Sequence, residues 1–249
     1  MAVRFDASAD GLSRARLTGA KTITGWFRIV TDRNDYSAFF DLGQDAIVST
    51  DSDGTTLIGY LNGYTYGSTA LSVGTWYHIS VTISSDTNPT MIIYVNGVQV
   101  GNTAQVFTLT GTTMYVGTDR YGEWLNGSAA HVKMWGAALT AAEVQQEMYT
   151  VTPVRTDSLV SWAPLDVHTD LADYSGAGNG WTGNGTLTTE DNPPVSWGGA
   201  LVFPQFVSGG GGTNYNQSAT GALAPAAALI RQSTALRAGA TTPAGALPR

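Results

Sequence analysis

Short segments in which apolar and polar side chains alternate, each closed by a turn signal, recur through the first 150 residues and confine the chain to an all-β fold. In TWYHISVTI (75–83), Tyr77, Ile79, Val81 and Ile83 share one face, while His78, Ser80 and Thr82 share the other. In AAHVKMW (129–135), Val132 and Met134 oppose His131, Lys133 and Trp135; in TITGWFRIV (22–30), Ile23, Phe27 and Ile29 oppose Trp26 and Arg28. SAFFDLG (37–43), AIVST (46–50), TLIGYLNG (56–63), MIIYVNGVQV (91–100) and MYVGT (114–118) read as further strands. Asp-Gly, Asn-Gly and Asn-Pro steps between them supply positive-φ or pre-bent positions, and Asp53-Gly54 and Asn96-Gly97 read as hairpin turns. The pattern predicts an antiparallel two-sheet sandwich. One face of each strand forms its core, and the other meets solvent or a ligand.

The segment LTAAEVQQEMY (139–149) breaks the period. Thr140 with Glu143 three residues later predicts a capping box, and Leu139, Val144 and Met148 fall on one stripe of a helix packed over an end of the sandwich.

Hydrophobic residues make up 43% of the chain and charged ones 12%, so a large core is available. The net charge of −7 argues against wrapping a nucleic acid. No apolar run is long enough to span a membrane. With no cysteine, disulfides, thiolate metal sites and cysteine nucleophiles are excluded. The opening MAVRFDASADG lacks a basic region followed by an apolar stretch, so synthesis in a cytoplasm without an export signal is the expectation.

Strand-like sequence returns in SLVSWAPLD (158–166) and ALVFPQFV (200–207), separated by a Gly/Asn-rich loop. At SGGGG (208–212) the composition changes. The remaining tail is rich in Ala, Gly, Thr and Pro, and carries three of the chain's twelve basic residues and none of its nineteen acids. Residues 1–207 are thus read as one sandwich and 208–249 as an arm. PAAALIRQSTALRA (225–238) is its candidate helix, offering Leu229, Ile230, Arg231, Leu236 and Arg237 for docking. The alternative is a solvated linker.

TWYHISVTI followed by MIIYVNGVQV, then MYVGT and NGSAAHVKMWGAALTAAEV (126–144), resembles the laminin G-like, concanavalin A-like lectin/glucanase jelly-roll family. VRFDASADGL (3–12) resembles that family's early Phe-Asp-Gly-Ser segment, with Ala7 in place of the glycine. LVSWAPLD and LADYSGAGNGWTGNG (171–185) resemble a segment that precedes this strand in many members but here follows the helix. Either the C-terminal part closes the same sandwich or it starts a second unit, and closure is favoured because some 50 residues are too few for another sandwich. The resemblance implies a fold and a habit of binding sugars or proteins, in some members through calcium. It implies no reaction.

Catalysis is not expected. The four glutamates, Glu123, Glu143, Glu147 and Glu190, form no Glu-x-Asp-x-Glu array, and Glu143 and Glu147 read as solvated helix residues. No nucleophile elbow, P-loop or His-Glu-x-x-His is present, and His78, His131 and His168 lack ligand spacing. If calcium binds, the loop of Asp170 and Asp173 is its expected place; otherwise these are turn residues, as are Asp32, Asn34, Asp35, Asp51 and Asp53. For a glycan, the candidates are Tyr121 and Trp124 in a loop and Trp26, His131 and Trp135 on the mixed strand faces. For the strand residues the favoured reading is a second face covered by a loop or the closing strand.

Two functions fit. The first is a non-catalytic decoration or adhesion protein on an assembly, a bacteriophage virion surface with capsid or tail partners, anchored by 208–249, with self-association included. The second is a free carbohydrate-binding lectin, calcium-dependent or not.

Overall fold

The alternating segments form two stacked antiparallel sheets in the computed structural model, which describes residues 1–43, 46–191 and 193–195. In chain order the first strands are β1 (Ala2–Phe5), β2 (Gly11–Ala15), β3 (Thr22–Ile29), β4 (Ala38–Asp41) and β5 (Ala46–Thr50). Next come β6 (Thr56–Leu61), β7 (Tyr64–Ala70), β8 (Trp76–Ile83), β9 (Thr90–Val95) and β10 (Val98–Ala104). β11 (Thr113–Val116) and β12 (Gly127–Trp135) precede the helix α1 (Ala141–Glu147). β13 (Leu159–Ala163), β14 (Thr182–Asn184) and β15 (Thr188–Glu190) end the described elements. The larger sheet runs β10-β9-β8-β3-β12-β1-β15, with β13 also on β12; the smaller runs β14-β2-β11-β4-β5-β6-β7. This is a β-sandwich of the jelly-roll type. Among the described residues no helix is long and apolar enough to cross a membrane.

The inward faces are those the alternation assigns. Ile23, Phe27 and Ile29 of β3, Ile79, Val81 and Ile83 of β8, and Val132 and Met134 of β12 all enter the core between the sheets. At its centre Phe27 meets Phe39 and Phe40 edge-on, with ring centroids 5.4 and 4.8 Å apart. Asn96-Gly97 makes the β9–β10 hairpin with both residues at positive φ, 50° and 76°, as a two-residue turn of the primed type needs. YTYGSTA had no strand reading because Gly67 interrupts its alternation; it is β7, bent at that glycine's φ of 74°.

The C-terminal segments complete the same two sheets. β12 serves two partners on one edge, pairing with β1 through Gly127–Ala129 and with β13 through Val132–Trp135. The bulge between them is at His131, whose φ is 53°. β15 pairs with β1 and β14 with β2. Asp10 fastens the closure: its Oδ2 accepts from the amides of Asp6 and Ala7, and its Oδ1 from that of Thr186 at 2.8 Å. The expected strand at 200–207 and the arm at 208–249, with Leu229, Ile230, Arg231, Leu236 and Arg237, lie outside the described residues.

Of the two readings of Trp26 and Trp135, the covered one holds. The mixed outer face of the larger sheet is not open. Residues 136–157 cross it as a strap, because Leu139, Val144, Met148 and Val151 need burial of their own. Leu139 and Val144 cover Trp135 and Tyr94, while Met148 and Val151 cover Trp26 and Ala130. The strap is pinned by Lys133, whose Nζ donates to Glu147 Oε2 at 2.9 Å and to the Thr150 carbonyl at 2.7 Å. Glu147 is therefore not the solvated helix residue the spacing suggests; only 1% of its surface is exposed. Its Oε1 accepts from the amides of Val154 and Arg155.

The capping box is formed. Thr140 Oγ1 accepts from the Glu143 amide and Glu143 Oε2 accepts from the Thr140 amide. Thr140→Ala is expected to cost about 1 kcal/mol of stability in denaturant titration. No change would mean that packing alone holds the strap's helix.

Candidate functional site

Among the described residues the smaller sheet carries no strap, and its outer face bears a hollow. Cross-strand register sets the floor. Asp41 of β4 stands opposite Ile47 of β5, Ile47 opposite Tyr60 of β6, and Tyr60 opposite Thr65 of β7. In the next row Ser49 stands opposite Ile58. Because successive side chains alternate faces, the Val48–Gly59 pair between these rows points inward. The hollow has a volume of about 440 Å³ and is lined by Ile47, Ser49, Ile58, Tyr60 and Thr65 from the strands, with Tyr36, Tyr121 and Glu123 from two loops. Ile47, Ser49 and Ile58 are buried at its base, whereas Tyr121 is 59% exposed at its rim.

The two loops are locked to each other through Arg33. Its guanidinium donates to the carbonyls of Tyr36 and Trp124 at 3.1 and 2.7 Å, and lies 4.2 Å from the Trp124 ring centroid. Trp124 therefore supports the wall from behind and does not line the hollow. Asp119 holds the second loop in shape: its Oδ1 accepts from the amides of Tyr121 and Glu123 at 2.8 and 3.0 Å. Its Oδ2 is buried and accepts from no amide, hydroxyl or cation, with the Glu123 carboxyl beside the same side chain. Asp41 beneath accepts from the amides of Gly43 and Arg120.

These carboxyls are not ordinary. Burial pushes Asp41 up to about 6 against the pull of its two amide donors. Glu123 is raised to about 7, first by burial and then by the Asp119 charge beside it, with Arg33 opposing. Burial raises Asp119 as well. Near neutral pH the wall thus carries a proton that isolated carboxylates would have lost.

Of the residues expected to bind a glycan, Tyr121 alone lines the hollow. Trp26, His131 and Trp135 are on the other sheet under the strap, 2%, 2% and 0% exposed, and reach no solvent. Their outward position on the strand reads correctly from the alternation, but what covers them does not. Tyr36, Tyr60, Thr65 and Glu123 carried no sequence expectation. Tyr60 had a usable signal, as the lone aromatic between inward Gly59 and Leu61.

The calcium expectation does not fit its residues. Asp173 Oδ1 already accepts from the amides of Trp162 and Ser175, and Oδ2 from the Asn179 amide and the Ser175 hydroxyl. Those donors hold its carboxyl below the usual carboxylate range against a burial effect that raises it. Asp170 accepts from the Ala172 amide and the Tyr174 hydroxyl. Both are turn residues. Among the described residues no group of three or more acidic or histidine side chains is arranged to hold a metal.

A search of curated proteins finds no match to this sequence. Among solved structures, a candidate carbohydrate-binding protein from Bacteroides ovatus is 19% identical with a TM-score of 0.58, over 78% of this chain and 61% of that one. Trypanosoma rangeli sialidase (TM-score 0.48, 15% identity) is matched over 59% of this chain and 27% of its own. Domain 4 of an extracellular GH43 arabinanase from Geobacillus stearothermophilus (0.46, 17%) is matched over 59% and 76%. This chain thus spans about three fifths of the first relative's length and about a quarter of the sialidase's. The sequence matches the laminin G-type family model over residues 7–145, more than half of its length. With the two-sheet architecture and that match together, the chain belongs to the concanavalin A-like lectin/glucanases superfamily.

Proposed function

We propose that the hollow of the smaller sheet binds a glycan and that the chain acts as a non-catalytic carbohydrate-binding module. The observation that carries this is the convergence of Tyr36, Tyr60 and Tyr121 around a concave face, left uncovered by the described residues, that also presents Ser49, Thr65 and Glu123. Its volume falls within the range of small-ligand sites. Tyrosines offer flat apolar faces for the C–H side of a sugar and hydroxyls for its edge. The role described for the Bacteroides ovatus protein agrees with this reading.

The carboxyls argue for binding over hydrolysis. Glycoside hydrolases hold their acid and nucleophile or base about 5–9.5 Å apart across the scissile bond. Here Glu123 and Asp119 face each other directly, and Asp119 and Asp41 are spent on backbone amides.

Tyr121→Ala and Tyr60→Ala are each expected to weaken binding of a glycan identified on an array by roughly tenfold, about 1.4 kcal/mol. Calorimetric titration reads the effect. Unchanged affinity in both variants removes the hollow from the reading. Residues 208–249, on which the assembly-anchor expectation stands, lie outside the described residues, so the glycan-binding reading leads.

A further inference from the structure

Resting on the glycan reading of the hollow, we propose that its ligand is an uncharged sugar and that the wall built on Glu123, Asp119 and Asp41 excludes uronic and sialic acids. Among the described residues no lysine or arginine lines the hollow, and Glu123 is its one acidic lining group. Of the two cations nearby, Arg33 is engaged behind the wall and Arg120 is held against a rim residue. Arg33 is spent on the Tyr36 and Trp124 carbonyls and on Asp35 at 3.2 Å. Arg120 donates to the Tyr121 hydroxyl at 2.8 Å and sits against that ring. Recognition of a sugar carboxylate calls for a forked or charged donor, and the lining offers hydroxyls and an acid instead.

The wall also stores charge. Asp119 Oδ2 is buried with no amide, hydroxyl or cation donating to it, and the Glu123 carboxyl lies against the same side chain within hydrogen-bonding reach. Two such groups cannot both ionise cheaply, so one proton is held between them until the solution becomes alkaline enough to remove it. The charged and titratable groups facing the pair are Asp41 from β4, Asp35 and Arg33 from the loop after β3, Arg120 and Tyr121 from its own loop, and the phenols of Tyr36 and Tyr60 across the hollow. Loss of that proton adds one negative charge to the wall. Discrimination against an anionic ligand therefore grows with pH, while an uncharged ligand feels only the loss of a hydrogen-bond donor.

The test uses the full chain and ligand-observed NMR competition at about pH 5 and about pH 8, either side of the value to which Glu123 is raised. The probes are the methyl glycosides of glucose, galactose and mannose, each against its uronide, which is anionic at both pH values. At each pH the tightest-binding neutral glycoside is expected to outbind its uronide, and the ratio to widen roughly tenfold between the two, the scale of one charge added a few ångströms away. Glu123→Gln is expected to flatten that widening. A uronide that binds as tightly as its neutral partner, or a wild-type ratio that does not move with pH, overturns the proposal while leaving the glycan reading in place. Silence from all six probes overturns the glycan reading, and this inference with it.

Discussion

Lys133→Met is expected to destabilise the fold by about 3–5 kcal/mol, the scale on which breaking one side of a buried ion pair acts. Lys133 and Glu147 are each 1% exposed. Burial lowers the lysine's pKa, and the facing carboxylate pulls it back up. Remove the ammonium, and Glu147 Oε2 loses its charged donor together with the carbonyls of Glu147 and Thr150. The double variant Lys133→Met/Glu147→Leu is expected to recover little, because Glu147 Oε1 also accepts from the Val154 and Arg155 amides. Those two partly buried amides would then lose their acceptor. Equilibrium unfolding in urea measures both variants. A single variant within 1 kcal/mol of wild type would show that the strap is held by apolar packing on Trp26 and Trp135 alone.

Structural loss in Lys133→Met need not reach the hollow, since the strap and the hollow are on opposite sheets. Glycan affinity per folded molecule is expected to stay the same, which separates the pin from the binding surface.

How much of this could be read in advance follows from how local each feature is. The inward faces of β3, β8 and β12 and the capping box of α1 depend on residues two to four apart, so alternation and spacing gave them correctly. The strap over Trp26 and Trp135 depends on a segment that follows β12 folding back across β3 and β9. Period-two reading cannot distinguish a solvated outer face from one that a neighbour later covers. Glu147 shows the same limit, since a carboxylate on a helix looks solvated until Lys133 is placed beside it. The hollow was least legible. Tyr60 stands beside Ile47 and Thr65 only through the pairing of β5, β6 and β7, and Tyr36 and Tyr121, 85 positions apart, meet only because Arg33 ties their loops.

Acid is expected to destabilise the larger sheet through His78. Burial under the strap, with Lys133 and His131 adding like charge, lowers its pKa from 6.5 to about 3. Between those values the unfolded chain takes up a proton that the folded chain refuses. The histidine's contribution is therefore fully present above pH 6.5 and declines as pH falls, at about 1.4 kcal/mol per unit, to a total on the order of 4 kcal/mol near pH 3. His131 is also lowered by burial and acts in the same direction. Asp41 and Glu123 act in the opposite one. Their folded pKa values are raised, to about 6 and about 7, so their contributions are greatest in acid and are lost as pH rises through those values. The sum of these terms hides the histidine, and the difference between wild type and His78→Gln isolates it, because glutamine cannot titrate. Unfolding free energies measured from about pH 7 down to about pH 4 are expected to show wild type losing some 3 kcal/mol relative to the variant. The loss should be visible as a change in fluorescence of Trp26, whose ring lies 5.5 Å from that of His78. Parallel pH profiles would mean that His78 gains a proton without strain, and that the strap admits water where the packing around Trp26 leaves it none.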